Sequence, residues 1–161
     1  MSVRPLRATL AVAAAVLGLA TAGTASAMTA TVGEPDLIAK VAITVPVAVT
    51  CDAPTPGLVV FFQTVSVVVE QAAGKEIARG SASAVGSSPG PLLFPCDGTL
   101  ASLSVSVLAD PLGPPFHGGR AVVRVIVTSE AGVPFPCCPG SFMGPFERQT
   151  AVFGPAVVKL G

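Results

Sequence analysis

The sequence predicts an all-β fold of antiparallel strands, and three observations carry that prediction. Apolar residues recur at every second position: serines alternate with Leu103, Val105 and Val107 over 102–107, and Val123, Val125 and Val127 share one face of 121–128. Clusters rich in Gly and Pro punctuate the chain at short intervals. No segment after residue 27 places its apolar residues at helical spacing. The two alternating runs, joined by the Pro- and Gly-rich stretch 111–119, read as an antiparallel pair.

Residues 1–27 read as a cleaved signal peptide. Arg4 and Arg7 precede an uncharged apolar run at 8–22, and Ala25-Ser26-Ala27 is an A-x-A cleavage site. The run is mostly Ala, Gly and Thr, too weakly hydrophobic to read as a retained anchor. The expectation is therefore a secreted, extracellular protein with no membrane span after cleavage. Residues 28–36, small and polar with Gly33 and Pro35, read as a flexible lead-in, and 37–161 as one domain.

Within that domain, Val41, Ile43, Val45, Val47 and Val49 fall on one parity and define a first strand. Pro46 lacks an amide donor, which places this strand at a sheet edge or splits it. Cys51 closes the strand and 52–57 is a turn. The run 58–70 is apolar on both parities, with a bulge expected near Gln63 and Thr64. A hairpin loop at 71–76, containing Gly74, leads to a thin edge strand at 77–85. In the loop 86–95, Leu92, Leu93 and Phe94 are expected to plug one end of the core. After 121–128 comes a long connection, 130–149, and a last strand at 150–160 broken by Gly154 and Pro155. Six to seven short strands without a helix point to an immunoglobulin-like antiparallel sandwich.

The runs 45–51 and 65–70 with 74–80, the tetrapeptide Cys96-Asp97-Gly98-Thr99, and 116–127 are spread along most of the domain. In that layout the chain resembles small immunoglobulin-like domains exported by high-GC Gram-positive bacteria. The resemblance implies a fold and carries no activity, cofactor or site residue with it.

Composition narrows the function classes. Beyond residue 27 there are seven basic and nine acidic residues, and the basic ones form no block, so no nucleic-acid partner is expected. There is no Trp, Tyr or Asn, which leaves eight Phe as the aromatic platforms and disfavours sugar or base stacking. The abundance of Ala, Gly, Pro and Val suits a GC-rich bacterial coding sequence. No cofactor motif is present.

Four cysteines in an exported chain predict two disulfides, with three connectivities open. Cys51 with Cys96 is favoured, because each lies where a strand meets a loop; closing that loop would stabilise the fold by roughly 4 kcal/mol. Cys137 and Cys138 then bridge each other, or in the crossed pairing bond back to Cys51 and Cys96. Their adjacency strains a vicinal bridge, since neighbouring Cα atoms lie ~3.8 Å apart. A lone histidine, His117, reads as a turn residue. The match of 86–90 to G-x-S-x-G lacks the amide that an oxyanion hole needs, because Pro89 follows Ser88. Asp52, Asp97 and Asp110 read as turn caps rather than a calcium or acid/base set.

The candidate interaction loop is 133–148, where Phe135, Phe142, Met143 and Phe146 alternate with prolines. A rigid loop with apolar tips loses little entropy on binding; the competing reading is that these side chains cap the core. The sequence therefore predicts a non-enzymatic structural or interaction module, without catalytic, cofactor-binding or metal residues, facing an unknown protein or cell-surface partner. A small secreted proteinase inhibitor using the 133–148 loop is one alternative, and a carrier of an apolar small molecule is another. Oligomeric state is left open.

Overall fold

A computed structural model describes residues 27–161. The expected signal peptide thus lies, apart from Ala27, outside the described residues. Among the described residues eight strands, rather than six or seven, follow one another: β1 (Met28–Val32), β2 (Asp36–Ile38), β3 (Ala42–Cys51), β4 (Val59–Ala73), β5 (Glu76–Ser87), β6 (Leu100–Leu108), β7 (Gly119–Pro134) and β8 (Phe142–Leu160). All pairings are antiparallel. One sheet has β3 at its centre, with β1 and β2 on one side and β6 on the other; the second runs β5-β4-β7-β8. The all-β prediction holds, and no helix among the described residues is long and apolar enough to cross a membrane.

The inward residues of both sheets form one core. Ile43, Val45, Val47 and Val49 of β3 and Val105 and Val107 of β6 meet Val65, Val67 and Val69 of β4 and Val123, Val125 and Val127 of β7. Each such valine, fully buried, contributes roughly 1.5–3 kcal/mol. Phe94 and Phe116, both buried, come from connecting segments rather than from strands.

Several expectations are corrected. The runs 102–107 and 121–128 do not pair: β6 pairs with β3, whereas β7 pairs with β4 and β8, so the 111–119 connection crosses between sheets. Alternation reports which face is buried and says nothing of which strand lies alongside. Within 28–36, expected as a lead-in, residues 28–32 form β1, which pairs along its whole length with β3, from Met28 opposite Cys51 to Val32 opposite Val47. Pro46 sits in a central strand that remains unbroken. Its carbonyl accepts from Gly33 N at 2.9 Å, so its missing N–H faces the gap between β1 and β2. The neighbour is interrupted there instead of the strand. The bulge in β4 lies between Val60 and Phe62, slightly ahead of the expected Gln63 and Thr64.

The edge strand β5 is as thin as expected, for a physical reason. Gly80 bridges to Ala109 beyond β6, and Asp110 N donates to Arg79 O at 2.8 Å, joining the edges of the two sheets. A Cβ on Gly80 would strike the Leu108 carbonyl oxygen and come within 2.8 Å of Val107 Cγ1. Gly80→Ala is therefore expected to cost about 1–3 kcal/mol through overpacking, measured as a lower urea midpoint at unchanged slope.

Candidate functional site

β4 carries an inward row, Gln63, Val65, Val67, Val69 and Gln71, whose two ends are amides with 0% and 2% exposure. Gln63 Oε1 accepts from Leu93 N at 2.8 Å and Phe94 N at 3.1 Å, while Nε2 donates to Phe94 O at 2.9 Å. Gln71 Oε1 accepts from His117 N at 2.9 Å, and Nε2 donates to His117 O at 2.7 Å. Each side chain thus pairs with both backbone groups of one loop residue, as a neighbouring strand would. These pairings seat Phe94 and the residue after Phe116. A third amide, Gln149 on β8, donates to Asp52 O at 3.0 Å. Sequence reading missed this system, although Gln63 and Gln71 share the parity of Val65, Val67 and Val69.

Cys51 and Cys96 are bonded, as favoured. Cys51 is fully buried, and the Ser129 hydroxyl lies 3.4 Å from Cys96 Sγ. That bond removes the crossed pairing. Cys137 and Cys138 are corrected from a bridge to two free, exposed thiols with Sγ atoms 2.8 Å apart. Their hydrogen bond, with desolvation adding to it, pushes the Cys138 thiol above its ordinary value.

The expected loop 133–148 is mostly strand. β7 and β8 stay paired, across a register shift between Ala131 and Val133, to Pro134 opposite Phe142, which confines the turn to 135–141. The turn is closed by Phe135 N to Ser141 O at 2.9 Å, Cys138 N to Phe135 O at 3.3 Å and Ser141 N to Cys138 O at 3.0 Å. None of Phe135, Phe142, Met143 and Phe146 belongs to the core cluster, whose ends are filled by Phe94 and Phe116. Phe142 stacks on Phe61 at 4.6 Å, and Phe146 meets Phe61 edge-on at 5.9 Å. Phe135, Met143 and Phe146 remain 43%, 38% and 63% exposed. Phe146 also lines an open apolar groove of about 450 Å³, together with Pro56, Leu58, Val133 and Pro145. Thr55 N, donating to Glu147 Oε2 at 2.9 Å, ties the 52–57 turn to this end of β8.

The remaining polar candidates are turn residues. The exposed His117 ring lies against backbone carbonyls, Nδ1 at 2.8 Å from Gly118 O and Nε2 at 3.0 Å from Ala72 O. Asp110 Oδ1 accepts from Leu112 N at 2.9 Å, and Asp52 Oδ2 from Ala27 N at 3.0 Å. Asp97 Oδ1 accepts from the Thr99 hydroxyl at 2.5 Å and from Thr99 N at 2.9 Å. The Thr99 hydroxyl, then its N–H, hold the Asp97 carboxyl below its ordinary 3.8. Among the described residues no three His, Cys, Asp or Glu side chains cluster to hold a metal ion.

These features define a two-sheet β domain with one internal disulfide, a pair of amide clamps and an apolar hairpin end carrying two thiols. No protein family, curated protein or solved structure matches the chain.

Gln63→Leu is expected to cost about 2–4 kcal/mol, because it strands three backbone groups, two of them on buried Phe94, and Gln71→Leu about 1–3 kcal/mol, because water reaches the exposed His117. Chemical denaturation of both variants checks the order. For Asp97, a depressed native pKa means stability present above the ordinary value of 3.8 and lost as pH falls through the native value. An NMR titration should place the Asp97 midpoint below 3.8, and Thr99→Val should move it upward.

Proposed function

We propose that the chain is an exported, non-enzymatic structural or interaction module with an immunoglobulin-like sandwich fold, and that the end of the β7–β8 hairpin is its contact surface. The strand order supports the fold reading. β1-β3-β6 facing β5-β4-β7-β8 is the adjacency of the A-B-E and C′-C-F-G strands in immunoglobulin-like domains. The disulfide differs from the antibody pattern, joining β3 to the segment that enters β6 rather than bridging two sheets. The pairing of an internal disulfide with an apolar leader supports export.

The single observation that carries the contact surface is the exposure of Phe135, Met143 and Phe146 on a hydrogen-bonded ribbon, outside a core that is already closed by other phenylalanines. Apolar anchors held in place lose little freedom on docking, so their area converts into affinity. The closed turn at 135–141 favours a contact patch over an inhibitor strand, which would have to lie extended in a protease cleft. A carrier would enclose its ligand, whereas the groove of about 520 Å³ beside Glu70, Arg79 and Asp110 is open to solvent.

The test is a pull-down from the producing organism's medium and cell surface with the wild type and the double variant Phe135→Ser/Phe146→Ser. Loss of two anchors should reduce recovery of a specific partner by at least about 30-fold, the effect of roughly 2 kcal/mol. Both rings lie outside the core, so the variant should unfold within about 1 kcal/mol of wild type. Equal recovery of every partner by both proteins would end the proposal.

A further inference from the structure

We propose that Cys137 and Cys138 form a thiol–disulfide exchange site at the hairpin tip, acting on low-molecular-weight disulfides of the glutathione class. This inference stands apart from the contact surface, since it concerns the isolated protein and needs no macromolecular partner. Both thiols are exposed and their sulfurs lie 2.8 Å apart, so an incoming disulfide can reach either one while the other stands beside it. The tip backbone keeps them together. Pro136 and Pro139 flank the pair with fixed φ angles, and Gly140, at φ 82°, takes the left-handed conformation that completes the turn. The Cys138 N–H and carbonyl are both held by the turn hydrogen bonds to Phe135 and Ser141.

The exchange balances without a further reagent. One cysteine thiolate attacks a sulfur of the small disulfide, whose S–S bond breaks. The first small thiol leaves with a proton, and a mixed disulfide stays on the protein. The neighbouring cysteine, deprotonated in turn, attacks the protein sulfur of that mixed disulfide, expels the second small thiol and closes the 137–138 bond. Two protein thiols are oxidised and one small disulfide is reduced to two thiols; excess small thiol drives the same steps backwards. Because adjacent Cα atoms sit ~3.8 Å apart, below the usual disulfide span of ~4.4 Å or more, the bridge is strained and easily reduced. The Cys51–Cys96 bond, with Cys51 fully buried, is shielded from the same attack. The domain therefore holds one fixed and one cycling cysteine pair.

The experiment equilibrates the purified full chain across graded ratios of reduced to oxidised glutathione, quenches with acid, alkylates and reads tryptic peptides by mass. Cleavage after Arg124 and Arg148 releases residues 125–148, which contain Cys137 and Cys138 and no other cysteine. This peptide should pass from doubly alkylated to an unalkylated form lighter by two hydrogens, in one two-electron step. Its midpoint should lie at a ratio at least about tenfold more oxidising than the one that opens Cys51–Cys96. Cys137→Ser and Cys138→Ser should each accumulate a lasting glutathione adduct on the remaining cysteine, because the resolving thiol is gone. Three results would each overturn the proposal: a wild-type peptide that stays doubly alkylated at the most oxidising ratio, a wild type that accumulates the mixed disulfide, or a wild type that links instead to a second chain.

Discussion

The structure depends on the requirement that buried amides find hydrogen-bond partners. Gln63 and Gln71 point inward from the ends of a five-position row on β4 whose middle is three valines, and neither amide reaches water. An unpaired amide in that setting would cost several kcal/mol, so each must recruit backbone from outside its own sheet. Gln63 recruits Leu93 and Phe94; Gln71 recruits His117. The loops that supply those groups are thereby fixed against the core, and each brings a phenylalanine with it. Among the described residues, no buried side-chain nitrogen or oxygen is left without a partner.

Once Phe94 and Phe116 close the core, with Phe153 packed against it, Phe61, Phe135, Phe142 and Phe146 are released from that task. Phe61, Phe142 and Phe146 stack among themselves on the surface of the β7–β8 ribbon, and Phe135 and Met143 stay exposed near its turn. The two cysteine pairs divide in the same way. Cys51 and Cys96 sit in the polar surroundings of Ser129 and Gln149 at the end that Phe94 closes, while Cys137 and Cys138 stand free on the tip. Structural and chemically accessible features thus occupy different parts of one small domain.

The long edge strand β8 would invite pairing by another chain, since no strand among the described residues pairs with its outer side. Pro145 and Pro155 remove two donors from it, and the register shift opposite Val123 and Val125 twists it locally. The opposite edge of that sheet is short of side-chain bulk and is stitched to the other sheet through Gly80 and Ala109. Pairing along the strand edges is restrained, and the hairpin end is one of several places where large apolar side chains stay exposed.

The sequence by itself determined what each residue's local pattern encodes: all-β character, the inward faces of β3, β6 and β7, the thin strand at 77–85, and the strand-to-loop positions of Cys51 and Cys96. Period-2 alternation is a local consequence of the pleat, and a reader of residues can recover it. Pairing partners are not local. Only the tertiary structure decided that β6 lies beside β3 rather than β7, that residues 28–32 form a strand by pairing with β3, and that 133–148 is a ribbon. It also decided the aromatic question, because whether Phe142 and Phe146 cap the core depends on whether other side chains have filled it. The answer came from Gln63 and Gln71, two polar residues whose meaning rests on backbone groups 30 and 46 positions away in the chain.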